Sequence, residues 1–142
     1  MIGFIQSFMF RDADMKRALA FAVLIMLLAG CKPGEEKAIE LAKKEIALDL
    51  KDPESAKFRF TRMAKSNERG DGAVLAMVCG QVNAKNTFGA YSGYRHFLII
   101  LSMESKSLFN KGVTYKVERK LIEVENSKED LTQYIEVCGQ DN

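Results

Sequence analysis

The chain carries little net charge, has a single histidine and lacks an apolar run long enough to span a bilayer as a helix. Each shortage excludes something. A formal charge of +2 over 142 residues leaves no concentrated basic face of the kind that nucleic acid demands, so nucleic acid is not an expected partner. A mild basic cluster of Lys57, Arg59, Arg62, Lys65 and Arg69 has Glu54, Glu68 and Asp71 among or beside it and reads as a solvated surface. His96 is the one histidine, and no cysteine or carboxylate sits at ligand spacing around it, so no metal site is expected. Phosphate-binding glycine loops, nucleophile elbows and HExxH helices are missing from the sequence, as are internal repeats. No catalytic residue and no cofactor is expected.

What the sequence does carry is an address. Met15 to Cys31 reads MKRALAFAVLIMLLAGC. Lys16 and Arg17 form a positive start, Ala18 to Leu28 an uncharged apolar run, and Ala29 and Gly30 a small-residue exit, the order that export requires. The run falls well below the roughly 20 apolar residues of a membrane-spanning helix. Leu28-Ala29-Gly30-Cys31 resembles the lipobox of bacterial lipoproteins. That resemblance implies a mature chain starting at Cys31, with diacylglycerol and an N-acyl group such as palmitate on that residue. Several acyl chains anchor stably where one binds only marginally, so the membrane is an expected partner. Lys32 stands where an Asp would signal retention in the inner membrane, so the outer membrane, facing the periplasm, is favoured. Arg11, Asp12 and Asp14 separate the apolar residues 1–10 from this pattern, and residues 1–14 read as an upstream extension. The expected organisation is therefore an extension over 1–14, a signal peptide over 15–30, a tether over 31–34 and one domain over 35–142.

With Cys31 assigned to lipid, Cys79 and Cys138 remain. An even pair in an oxidising compartment reads as a disulfide; a catalytic thiol and two free core thiols are the competing readings.

Hydrophobic periodicity outlines the domain. Glu35 and Glu36 suit the positive end of a helix, and Ile39, Ala42, Ile46 and Leu50 form one stripe widened by Leu41 and Leu48. Glu40 and Lys44 have favourable helical spacing, and Asp52-Pro53 is expected to end the helix. Phe58 to Arg62 alternates as a half-buried strand, and Ser66 to Gly72 reads as a polar loop. Ala73 to Val82 and Tyr94 to Leu101 are apolar on both faces, as central strands are. Asn110-Lys111-Gly112 predicts a hairpin turn before alternating Val113, Tyr115 and Val117. The apolar phase then switches to Ile122 and Val124, which predicts a bulge near Arg119 to Leu121, and Glu123 and Glu125 would share one face of that strand. Ser127 with Asp130 opens a second helix with Leu131, Tyr134, Ile135 and Cys138 inward, and Gly139 stops it. The expected fold is α+β: an N-terminal helix, about four antiparallel strands and a C-terminal helix in a two-layer sandwich.

The most distinctive blocks are Asp52-Pro53-Glu54-Ser55-Ala56-Lys57-Phe58 and Val78 to Phe97, VCGQVNAKNTFGAYSGYRHF. Together they resemble a family of small exported bacterial and prophage-encoded proteins, many of them lipoproteins, with DP-x-SA-x-F and VCG-x-VNAKN-x-FG-x-Y-x-G segments. The resemblance covers about a third of the mature chain. It implies a shared fold and an exported location, and brings no activity or functional residue with it.

Read physically, Gly80 allows a bulge or a close backbone approach, and Asn86, Gly89 and Gly93 suit positive φ. Phe88 and Tyr91 either fold under the loop as a staple or stand outward as anchors for a partner. The candidate partner-binding loop consists of Asn83, Lys85, Asn86, Phe88, Tyr91, Tyr94 and Arg95. The leading expectation is a non-enzymatic lipoprotein acting by contact with an envelope or periplasmic protein, such as prophage modification of the host envelope. One alternative is an inhibitor of a periplasmic enzyme such as lysozyme, with Lys85 or Arg95 entering an acidic cleft. Another is a small enzyme using His96 with Tyr91, Tyr94 or Arg95; against it, His96 reads as a polar residue within the sheet.

Overall fold

The computed structural model describes residues 33–107, 110–123 and 126–140. The signal stretch, Cys31, Val124 and Glu125 lie outside the described residues. The elements are helix α1 (Glu35–Ala47), a 3-10 turn (Pro53–Ser55), strands β1 (Lys57–Glu68), β2 (Val74–Asn83), β3 (Arg95–Ser107) and β4 (Asn110–Ile122), and helix α2 (Lys128–Cys138). The strands form one antiparallel meander in the order β1-β2-β3-β4. This is the expected α+β order, with an N-terminal and a C-terminal helix around a four-stranded sheet.

Strand alternation sends two sets of side chains to opposite faces. Ala76, Val78 and Val82 of β2 and Phe97, Ile99, Leu101 and Met103 of β3 meet Ala38, Leu41, Ala42 and Ile46 of α1 in the main core. That packing makes two layers, α1 on the sheet, and the reverse face carries a third where two in all were expected. On the reverse face Cys79 and Leu98 meet Tyr134 and Cys138, so α2 adds a smaller cover there. The Cys79–Cys138 disulfide fixes it, with Cα atoms 5.9 Å apart. Arg62 and Lys65 of β1 donate to the Cys138 and Glu136 carbonyls, cations placed where a helix C-terminus is negative. Among the described residues no helix is long and apolar enough to cross a membrane.

Several boundaries differ from expectation, each for a local reason. Helix α1 ends at Ala47 because Asp49 and Leu50 donate to Ile46 and Ala47, tightening the last turn. Leu48 consequently points outward, 62% exposed, instead of widening the apolar face. Asp52-Pro53 opens the next turn, its carboxylate accepting from Ser55 N. Glu40 pairs back to Lys37 at 2.8 Å. Ser66 to Glu68 are strand residues paired with Val74 to Ala76. Asn110 to Gly112, expected as a hairpin turn, also belong to a strand, with Asn110 paired to Ser107.

Other expectations hold in part. Ser127 Oγ accepts from Asp130 N, and Gly139, at φ 76°, ends α2. The phase switch in β4 occurs at Glu118, the residue left over between the pairs Ile100–Arg119 and Leu101–Val117. It turns Ile122 back to the main core. Leu131 and Ile135, expected inward, are exposed; α2 faces the sheet through the narrow stripe of Tyr134 and Cys138. Glu123 has left the strand at φ 61°.

Gly80 shows close approach. A Cβ there would lie 2.9 Å from the Phe97 ring and 3.1 Å from Thr61 Cα. Opposite it β1 bulges, with a register shift between Arg59 and Arg62 and Phe60 at φ 52°. The simple alternation expected of Phe58 to Arg62 therefore breaks, and Phe60 is thrown outward, 65% exposed.

Candidate functional site

The predicted binding loop connects β2 to β3, with Asn83 closing one strand and Arg95 opening the next. Asn86 organises its tip. The Asn86 carboxamide oxygen accepts from Phe88 N at 3.0 Å and Ala90 N at 3.1 Å. Its own N–H donates to Ala90 O, and Gly89 N–H returns to Asn86 O. Asn86 thus acts through its side chain, without the positive φ expected of it; Gly89 and Gly93 do adopt positive φ. Lys85 and Tyr91 pair across the loop, and Asn83 Oδ1 accepts from Gly93 N at its base.

The loop is also tied sideways. Ser55 Oγ accepts from Lys85 N at 2.9 Å, and Ser55 O accepts from the Tyr91 hydroxyl at 3.2 Å. The two blocks that stood apart in the sequence therefore meet through Ser55. Held at its base, flank and tip, the loop presents Phe88 with 93% of its surface exposed.

Around this tip, cations lie on aromatic faces. Lys57 Nζ is 4.4 Å from the Tyr91 ring centre and Lys85 Nζ 5.9 Å from it. The Arg59 guanidinium is 3.9 Å from the Tyr94 ring and 5.4 Å from Phe60. Exposed pairs of this kind contribute about 0.5–1 kcal/mol each. Among the described residues neither Lys57 nor Lys85 has a carboxylate partner.

His96 sits beside this patch, on the α2 face of the sheet. Arg59 Nε donates to Gln81 Oε1 at 2.7 Å, and Gln81 Nε2 lies 2.7 Å from His96 Nε2. Arginine only donates, so the Gln81 oxygen must face it and the amide nitrogen must donate to histidine. His96 Nε2 is then an acceptor, and the neutral ring carries its proton on Nδ1. The Tyr134 ring lies against it, with centroids 5.1 Å apart.

Of the residues expected in the site, Lys85, Asn86, Phe88 and Tyr91 come together in the loop, Asn83 ties its base, and Tyr94 extends it along Arg59. Arg95 does not join them; it forms an ion pair with Glu123, beyond β4. Ser55, Lys57, Arg59 and Phe60 complete the site without having been expected in it. The basic cluster in β1 held the signal. Its members divide by side-chain direction: Arg62 and Lys65 serve α2, Arg69 approaches Asp71, and Lys57 and Arg59 serve the loop. Compared with protein-family models, with curated proteins and with solved structures, the chain has no match.

Proposed function

We propose that this chain is a non-enzymatic, lipid-anchored envelope protein that faces the periplasm and grips another protein through the loop from Asn83 to Arg95. One observation carries the reading: Phe88 stands almost wholly in water on a turn whose backbone is closed by hydrogen bonds. An exposed phenyl ring offers a large apolar area for burial against a partner, and a preordered loop loses little freedom on binding. The lipobox resemblance supports anchoring at Cys31, and the segment resemblance supports a prophage-type modification of the host envelope. His96 fits the non-enzymatic reading, because its Nε2 lone pair is engaged by Gln81 and its ring by Tyr134. An inhibitor of a periplasmic enzyme such as lysozyme is the form favoured by Lys85, whose ammonium approaches a ring and is available to an acidic cleft.

The test is chemical crosslinking in intact cells with the full chain, a Cys31→Ala version and a Phe88→Ala version. One recurrent envelope protein, lost in both variants, is the expected result. The same protein captured equally by Phe88→Ala would put the contact surface elsewhere.

A further inference from the structure

We infer that the loop is one half of a wider docking surface, completed by Lys57, Arg59 and Phe60 of β1, and that this surface takes an acidic segment of a partner protein. The inference rests on the contact reading above and adds the partner's chemistry. Continuity comes from the ring contacts: Lys57 joins β1 to the loop through Tyr91, and Arg59 joins it through Tyr94 and Phe60. Three exposed rings, Phe60, Tyr91 and Tyr94, are thereby tied to the β1 cations, and exposed Phe88 stands on the same loop as Tyr91.

Charge selects the occupant. The ammonium groups of Lys57 and Lys85 have only ring faces against them. Arg59 uses Nε on Gln81, and its planar guanidinium is held against the Tyr94 ring. Two ammonium groups and a prepositioned guanidinium favour carboxylates, with the fork suited to bidentate pairing. Rings interleaved among them accept the apolar parts of an acidic segment.

The test places a photoreactive benzophenone amino acid at position Phe88 or Phe60 in the full chain, in living cells, with and without Lys57→Glu and Lys85→Glu together. Those two side chains make ring contacts only, and an unchanged thermal melt confirms that the charge-reversed protein is folded. The expected result is that both positions crosslink one protein within an Asp- and Glu-rich segment, and that charge reversal cuts the yield about tenfold. Crosslinks from Phe88 that withstand charge reversal, or that map to a neutral segment, would overturn the acidic-partner inference while leaving the loop contact standing. Lipid adducts at both positions, or crosslinks to a second copy of the chain, would overturn the choice of occupant. No adduct from either position would overturn the contact reading with it.

Discussion

Two regions of the molecule treat charge in opposite ways. Along the α1–β4 side, charge meets charge: Lys120 reaches Glu45 and Asp49, and the Tyr115 hydroxyl donates to Glu45 at 2.7 Å. At the end formed by the β2–β3 loop and the start of β1, Lys57 and Lys85 meet tyrosine rings and Phe88 meets water. Polar groups of the first kind are accounted for by folding. The second arrangement leaves apolar area and charge unused by the fold, which is what a contact surface stores. The difference teaches where the fold leaves groups over, and it is the basis for proposing that the loop meets a partner.

That contrast can be broken from the fastened side first. Removing the Cys79–Cys138 bond, whose residues are 59 apart, should cost about 4 kcal/mol in the chain-entropy account. A shift of the denaturant midpoint under reductant, or in Cys138→Ala, measures it. Gly80→Ala should be next, at roughly 1–3 kcal/mol, because the new methyl meets the Phe97 ring and the Thr61 backbone. A thermal melt unchanged by this substitution would show that the bulge relaxes freely.

Tyr115→Phe should have a smaller effect, about 1 kcal/mol at neutral pH. It also carries a pH dependence. The hydrogen bond to Glu45, then burial and the Glu45 charge, hold the Tyr115 phenol above its usual value of 10.0. The folded state therefore keeps this proton more tightly than the unfolded chain. Its stabilisation is fully present below about pH 10 and is lost as pH rises through the raised folded value. Denaturation curves across that alkaline range should fall less steeply for Tyr115→Phe than for the parent.

Much of the fastened region was legible in the residues. Periodicity yielded the α+β order, Ser127 and Gly139 marked α2, the cysteine pair pinned it, and the β4 phase switch lay close to Glu118. These are local or pairwise signals. The failures involve neighbours distant in sequence. Phe60 turns outward because β1 bulges opposite Gly80, whose missing side chain lets the Phe97 ring and the Thr61 backbone close in. Leu131 and Ile135 stay exposed because the sheet offers α2 only a narrow seat. The site was half legible. Asn86, Gly89 and Gly93 announced a compact loop, but the choice between staple and anchor was open for Phe88 and Tyr91. The structure divides the roles: Tyr91 ties to Ser55, and Phe88 stands out. Arg95 was drawn to Glu123, a partner 28 residues on, just after β4.

The most direct measurement of the central claim compares stability and partner capture for one substitution, Phe88→Ala. A side chain shaped for a partner should leave the melting curve within about 0.5 kcal/mol of the parent while crosslinked capture in cells disappears. A clear loss of stability, or capture that persists, would contradict the account and return Phe88 to the fold.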